Sequence, residues 1–340
     1  MMPPLSAEIC YLVLMPVRSI RPQGTPEPIP AQKDAPYFFD VDIEFVPAGE
    51  RQFEVAGVTV QTRFQILDEQ VWLAECRYRL DDILGELANT RKQQIQTTLR
   101  ESFQAESGYR GAFIEEYTIV LLGRLELTPD EFVDTHAPAL TRLLRSLDKP
   151  FTELEVGQIL GARARYSHGD LTVVDWEGAI IIAEESDFQS DLELLKIGNY
   201  QLLHYRLLDR AIERSLQELR EYVARHRISW FPARSRILQQ IVEQRLTLLL
   251  DFEKTDQSLL LIGDWYSAQV YRLIVDEFYL AEWKAAVSAK LDTFAALDEI
   301  VRQNLAFSWD RLLDLVQIIG WLILLIGYFV LFFLDLGWRG

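Results

Sequence analysis

From Leu315 to Leu334 the chain reads LVQIIGWLILLIGYFVLFFL, twenty residues without an Asp, Glu, Lys, Arg or His. At about 1.5 Å of rise per residue, a helix of that length covers roughly 30 Å, the hydrocarbon thickness of a bilayer. Core helices of globular domains are shorter and keep a polar face, so residues 312–336 are expected to form one membrane span. Asp314 and Asp335 bracket the run, and Trp321 and Trp338 suit the two interfaces. At the other end, MMPPLSAEICYLVLMP has no basic stretch and only a short apolar run, which reads as a first β-strand rather than an export signal. The implied topology is a tail-anchored integral membrane protein, the bulk of its chain cytosolic, at a bacterial inner membrane.

Ahead of the run, a change of hydrophobic period separates a sheet-rich domain (1–186) from a long-helix domain and stalk (187–311). ICYLVLM, FFDVDIEFV, VTVQTRFQI and VWLAECRYRL read as strands, the last three with apolar residues at alternate positions as in half-buried antiparallel strands. Five prolines between Arg21 and Pro36 mark a loop. Asp81 is expected to cap a helix running to about Glu106, AFIEEYTIVLL to form a strand, and Thr128-Pro-Asp-Glu to open a short helix. Residues 162–183 complete the sheet, with Ser167 to Asp170 as a turn. After Asp187 the period becomes 3.6, interrupted by Gly198, and predicts long antiparallel helices. The last starts near Ala285 and enters the apolar run unbroken, about 50 residues and on the order of 75 Å long. The fold class is α+β: an N-terminal antiparallel-sheet domain, long antiparallel helices and one C-terminal transmembrane helix.

The segments LLKIGNYQLLHYRLLDR (Leu194 to Arg210) and IGDWYSAQVYRLIVDEFYLAEWKAAVSAKLDTFAALDEIV (Ile262 to Val301), with a single terminal span, resemble the Required for Meiotic Nuclear Division (Rmd) family of CorA-like membrane proteins. The resemblance covers about the last 160 residues and implies a membrane-anchored protein, of a family for which no enzymatic activity is established. It departs from CorA-type channels at the part that conducts. They carry a Gly-Met-Asn signature and a second span, whereas the methionines here are Met1, Met2 and Met15.

The search for chemistry excludes more than it finds. A net charge of −17 argues against nucleic acid as a partner. Phosphate-loop, dinucleotide, HExxH, CxxC and GxSxG motifs are all missing, so no enzymatic activity, cofactor or metal is expected. Cys10 and Cys76 lie in apolar strand-like runs and read as buried free thiols. Asp40 and Asp42 share a strand face, whereas Glu115 and Glu116 point to opposite faces. His204 reads as a core residue and His168 as part of a turn. Nine arginines stand between Tyr205 and Arg245 against five acidic residues; Arg220, Arg225 and Arg227 are candidates for contact with phosphates or lipid headgroups, while interleaved acids favour a solvated helix face.

Within the apolar run, Leu313, Gln317, Gly320, Leu324, Gly327, Leu331 and Leu334 follow a four-three heptad spacing, that of a coiled-coil seam between helices. The glycines allow close backbone approach and Gln317 can hydrogen-bond across it. Gln317, Gly320, Leu324, Gly327 and Leu331 are therefore the expected oligomerisation residues. The function expected is a homo-oligomeric membrane scaffold whose cytosolic head binds another protein. The alternative is a CorA-like oligomeric ion channel with Asp310 and Asp314 ringing a cation mouth.

Overall fold

The computed structural model describes residues 5–17, 43–225 and 265–337. Its strands are β1 (Ala7–Pro16), β2 (Phe45–Val55), β3 (Val58–Leu67), β4 (Val71–Leu80), β5 (Glu115–Leu122), β6 (Arg163–Ala164), β7 (Leu171–Asp175) and β8 (Gly178–Ile182). They make one sheet in the order β2-β3-β4-β1-β5-β8-β7-β6. The first strand thus lies in the interior of the sheet, antiparallel to β4 on one side and β5 on the other. Every residue from Ile9 to Met15 is buried, which is why its sequence is a continuous apolar run rather than an alternating one. β2 and β3 are joined at Ala56 and Gly57, both at positive φ (52° and 74°), as a two-residue hairpin loop of the type I′ kind requires.

Helices α1 (Ala88–Ser107), α2 (Pro129–Thr135), α3 (Ala137–Arg145), α4 (Glu153–Ile159), α5 (Gln189–Arg225), α6 (Trp265–Glu277) and α7 (Leu280–Gly337) complete the described chain. The α+β class holds. One side of the sheet packs on α1 to α4, with Phe64, Trp72 and Phe103 at its centre: the Phe64 and Trp72 rings stack at 4.9 Å and Phe103 meets both edge-on. The other side takes α5 and α6, so the central strands are buried on both faces.

Several expectations are corrected. β5 and β8 pair in parallel, so the sheet is mixed; the intervening α2, α3 and α4 supply the crossover that parallel strands need. β4 is not half-buried, because Glu75 on its second face lies beneath α5. Helix α1 starts at Ala88 behind Leu87, which makes no side-chain cap. Asp81 instead accepts from Ser6 at 2.9 Å, and a turn closed by Gly85 N–H donating to Asp82 O precedes the helix. Of FFDVDIEFV, the residues through 42, Asp40 and Asp42 included, lie outside the described residues; β2 begins at Phe45 and continues through a bulge between Pro47 and Gly49. The last helix starts at Leu280, separated from α6 by Tyr279 at φ 50°. The Thr128 cap is present as a full capping box with Glu131, and Thr152 with Glu155 forms a second.

Gly198 does not interrupt α5. A Cβ there would overlap Ile274 Cγ2 and lie 3.3 Å from Phe278 Cε2, so the glycine is the point of close approach between α5 and α6.

Chain contacts define two units. The first comprises Met1–Ala211 and Leu246–Val287, the second Ile212–Arg245 and Ser288–Gly340. The sheet unit therefore does not end at residue 186. Residues 191–205 of α5 are buried without a break, and Tyr266 on α6 shares a buried hydrogen-bonded group with Thr172 and Asp191 at 3.0–3.1 Å. In the second unit Lys290 pairs with Glu213 at 2.8 Å. Among the described residues no helix is long and apolar enough to cross a membrane. The described side chains Val316, Ile318, Ile319 and Trp321 to Ile326 of α7 are exposed, between 48% and 69%.

Candidate functional site

In the first unit, the sheet face beneath α5 carries a buried ionic network at β4. Glu75 on β4 and Lys196 on α5 are both buried, and Lys196 Nζ donates to Glu75 Oε2 at 3.1 Å and to Glu193 Oε1 at 2.7 Å. The other Glu75 oxygen accepts from Arg77 at 2.7 Å, and Arg77 also lies 3.5 Å from Glu8. Buried ions persist only when paired and hydrogen-bonded, and here each one is. Burial by itself would raise the Glu75 pKa, but the Lys196 ammonium and the Arg77 guanidinium outweigh it and hold the carboxyl at about 2. Burial likewise opposes charge on Lys196, yet Glu193 and Glu75 prevail and raise its pKa.

Where α5 no longer covers the sheet, this network opens into a cleft of about 530 Å³. Strand register orders its outward side chains into two rows across β2, β3 and β4. Glu50, Arg63 and Glu75 form one row, and Gln52, Gln61 and Arg77 the other. Alternation of side chains along each strand puts both rows on one face, while Arg51 is drawn to Glu106 of α1 at 2.7 Å. The rows offer guanidinium and amide donors beside carboxylate acceptors, which suits binding. Two cations, Lys196 and Arg77, hold the carboxylate at the floor ionised, while burial raises the Cys10 pKa well above its ordinary value and pushes Cys76 up to about 12. Among the described residues no group of His, Cys, Asp and Glu could hold a metal ion.

The residues singled out from sequence lie elsewhere. Glu115 and Glu116 do take opposite faces: Glu115 pairs with Arg206 of α5, whereas Glu116 accepts from Tyr11 and from Arg100 of α1 at 3.1 Å. His204 is buried beside the Tyr200 ring, and Ser167 closes the turn with Asp170 at 2.8 Å. Arg220 is exposed on α5; the Arg225 side chain and all of Arg227 lie outside the described residues. On α7, Asp314, Gln317, Gly320, Leu324 and Gly327 are exposed, while the side chains of Asp310 and Leu331 lie outside the described residues. Sequence reading missed Glu75, Glu193 and Lys196. The available signal was Lys196 inside LELLKIGNYQLLHY, a helix segment too apolar to leave a lysine in water.

An α+β protein with a mixed sheet between two helical layers is the class that the fold defines. Residues 48–189 match the family described as "Uncharacterized protein MJ0711, N-terminal domain". The chain is similar to Uncharacterized protein MJ0711 of Methanocaldococcus jannaschii, 25% identical over 205 residues, covering 59% of this chain and 62% of that protein. The chain thus spans less than two-thirds of that relative's length. No solved structure matches.

Proposed function

We propose that this protein is a membrane-anchored, oligomeric scaffold, in which one helix crosses the bilayer from Leu315 to Leu334 and the sheet-bearing unit holds another protein at the membrane. The observation that carries this reading is the exposed apolar surface of α7 from Val316 to Ile326, which the sequence extends without a charge to Leu334. Water-soluble surfaces rarely present an apolar stretch of that extent. The resemblance of the helical segments to the Rmd family supports the same reading. The absence of any charged residue from the run favours an anchor over a pore.

The test is alkaline carbonate extraction of membranes from cells making the full-length protein, followed by light scattering and ion-flux measurements on the detergent-purified protein. Retention in the membrane pellet, an oligomeric mass and silent liposomes are expected. Release into the supernatant would remove the anchor, and Mg²⁺ or K⁺ flux would replace the scaffold with a CorA-like channel.

A further inference from the structure

At the rim of the cleft the sheet ends on β2, and among the described residues no strand pairs with its outer side. The two halves of that edge differ. Pro47 and the bulge between Pro47 and Gly49 interrupt the first half, a common protection against the addition of another strand. The second half, Glu50 to Glu54, keeps regular register with β3, and Glu50, Arg51, Gln52 and Glu54 are exposed.

The hairpin fixes which backbone groups face outward. A two-residue loop is closed by a hydrogen-bonded pair, here Val55 and Val58, and such pairs alternate along an antiparallel ladder. Arg51 and Phe53 therefore turn their N–H and C=O groups toward β3, whereas Glu50, Gln52 and Glu54 turn theirs to the open edge. The side chains of Glu50, Gln52 and Glu54 share the cleft face, and those of Arg51 and Phe53 the face of α1.

Charge selects the occupant. Across the cleft face Lys196, Glu75, Arg63 and Glu50 follow one another with alternating sign: Lys196 lies 3.1 Å from Glu75, and Arg63, in register with Glu75 and Glu50, lies 3.8 Å from Glu50. The row reaches the edge on a carboxylate, so the favourable next member is a cation. A second copy of β2 does not supply one. Paired antiparallel in the register of fullest overlap, about Gln52, it would set Glu50 opposite Glu54, and like charges directly opposite are destabilising. On the α1 face, Phe53 is half-buried and meets Phe103 edge-on at 5.8 Å, a contact that an apolar neighbour would extend.

We propose that Glu50 to Glu54 of β2 is a docking edge that takes an extended segment of another protein as a further strand, with basic side chains opposite Glu50 and Glu54 and apolar ones beside Arg51 and Phe53. This names the surface and the partner chemistry of the sheet-bearing unit, and it rests on the reading of that unit as the part that holds another protein.

The probe is a fluorescein-labelled, capped heptapeptide, Val-Lys-Val-Thr-Val-Lys-Val, titrated with the full-length protein in mild detergent and followed by anisotropy. In the added strand its lysine amides face β2 and its valine amides face away. Submillimolar binding is expected, weakened about tenfold or more when both lysine nitrogens are methylated, since each loses a hydrogen bond. Methylating the two central valine nitrogens should leave it unchanged. Glu50→Lys combined with Glu54→Lys should abolish binding of this peptide and confer binding of its counterpart with glutamate in place of lysine; should that variant unfold, the methylated pair decides alone. No binding at millimolar concentration, equal loss from the two methylated peptides, or unchanged affinity in a folded charge-reversed variant would each overturn the docking edge. Carbonate extraction keeps the two readings apart: a membrane-retained protein that ignores the peptide loses the edge and keeps the anchor, whereas a released protein that binds it loses the anchor and keeps the edge.

Discussion

The buried Glu75 carboxylate ties the stability of this fold to acid. Glu75 is held at about 2 in the folded protein, against about 4.3 for glutamate in an unfolded chain. The folded state therefore binds fewer protons there, and the stability Glu75 contributes is present above about pH 4.3 and lost as the pH falls toward 2. Lys196 has a raised pKa, so its contribution is complete below about pH 10.4 and declines only in stronger alkali. Urea unfolding of the wild type should show a loss of stability between pH 4.3 and 2 that is smaller in Glu75→Gln. At pH 7 that variant should be less stable by about 3–5 kcal/mol, since Lys196 loses a buried partner. Identical acid profiles in the two proteins would mean the network does not couple the sheet to α5. None of this was legible in the alternation of VWLAECRYRL, which placed Glu75 toward solvent, because only the topology lays α5 across that face. Gly198 has the same history: a glycine in a helix reads as a break until its neighbour Ile274 is known.

At the level of elements, strands with strong alternation or long apolar runs were visible in the sequence, and so were the N-cap at Thr128 and the turn at Ser167. Three features were not. β2 carries Pro47, Gly49 and a charged Glu50-Arg51, which show no strand alternation, and is a strand because β3 supplies its partners. The break at Tyr279 lacks glycine and proline. The parallel pairing of β5 with β8 joins two apolar strands whose sequences carry no mark of direction. The matched family segment, 48–189, makes its own structural point, since it omits β1, the strand joining β4 to β5. Expressed alone, that segment would expose the unpaired edges of two long apolar strands. It should show no cooperative thermal transition under conditions where the full-length protein does. A sharp transition from the segment alone would make β1 dispensable.

At the level of the whole molecule, the apolar run was the clearest feature of the sequence, and the cleft the least visible, because its walls come from separate strands. The proposed seam on α7 is also a claim at this scale. A Cβ at either Gly320 or Gly327 meets no atom within 4 Å, so larger side chains there leave the described packing within one copy undisturbed. Gly320→Leu combined with Gly327→Leu should therefore lower the mass of the detergent-solubilised particle by separating copies. A variant with the wild-type mass would place the contact between copies elsewhere.

The position of β1 also bears on how the chain is made. Its residues emerge from the ribosome before any of their partners, which lie in Val71–Leu80 and Glu115–Leu122. Until both have been synthesised, an apolar strand that ends buried on both faces has at least one edge with nothing to pair with. Contacts so distant along the sequence close slowly, and the intervening time is a window in which a chaperone, or the β-edge of another protein, can claim the strand.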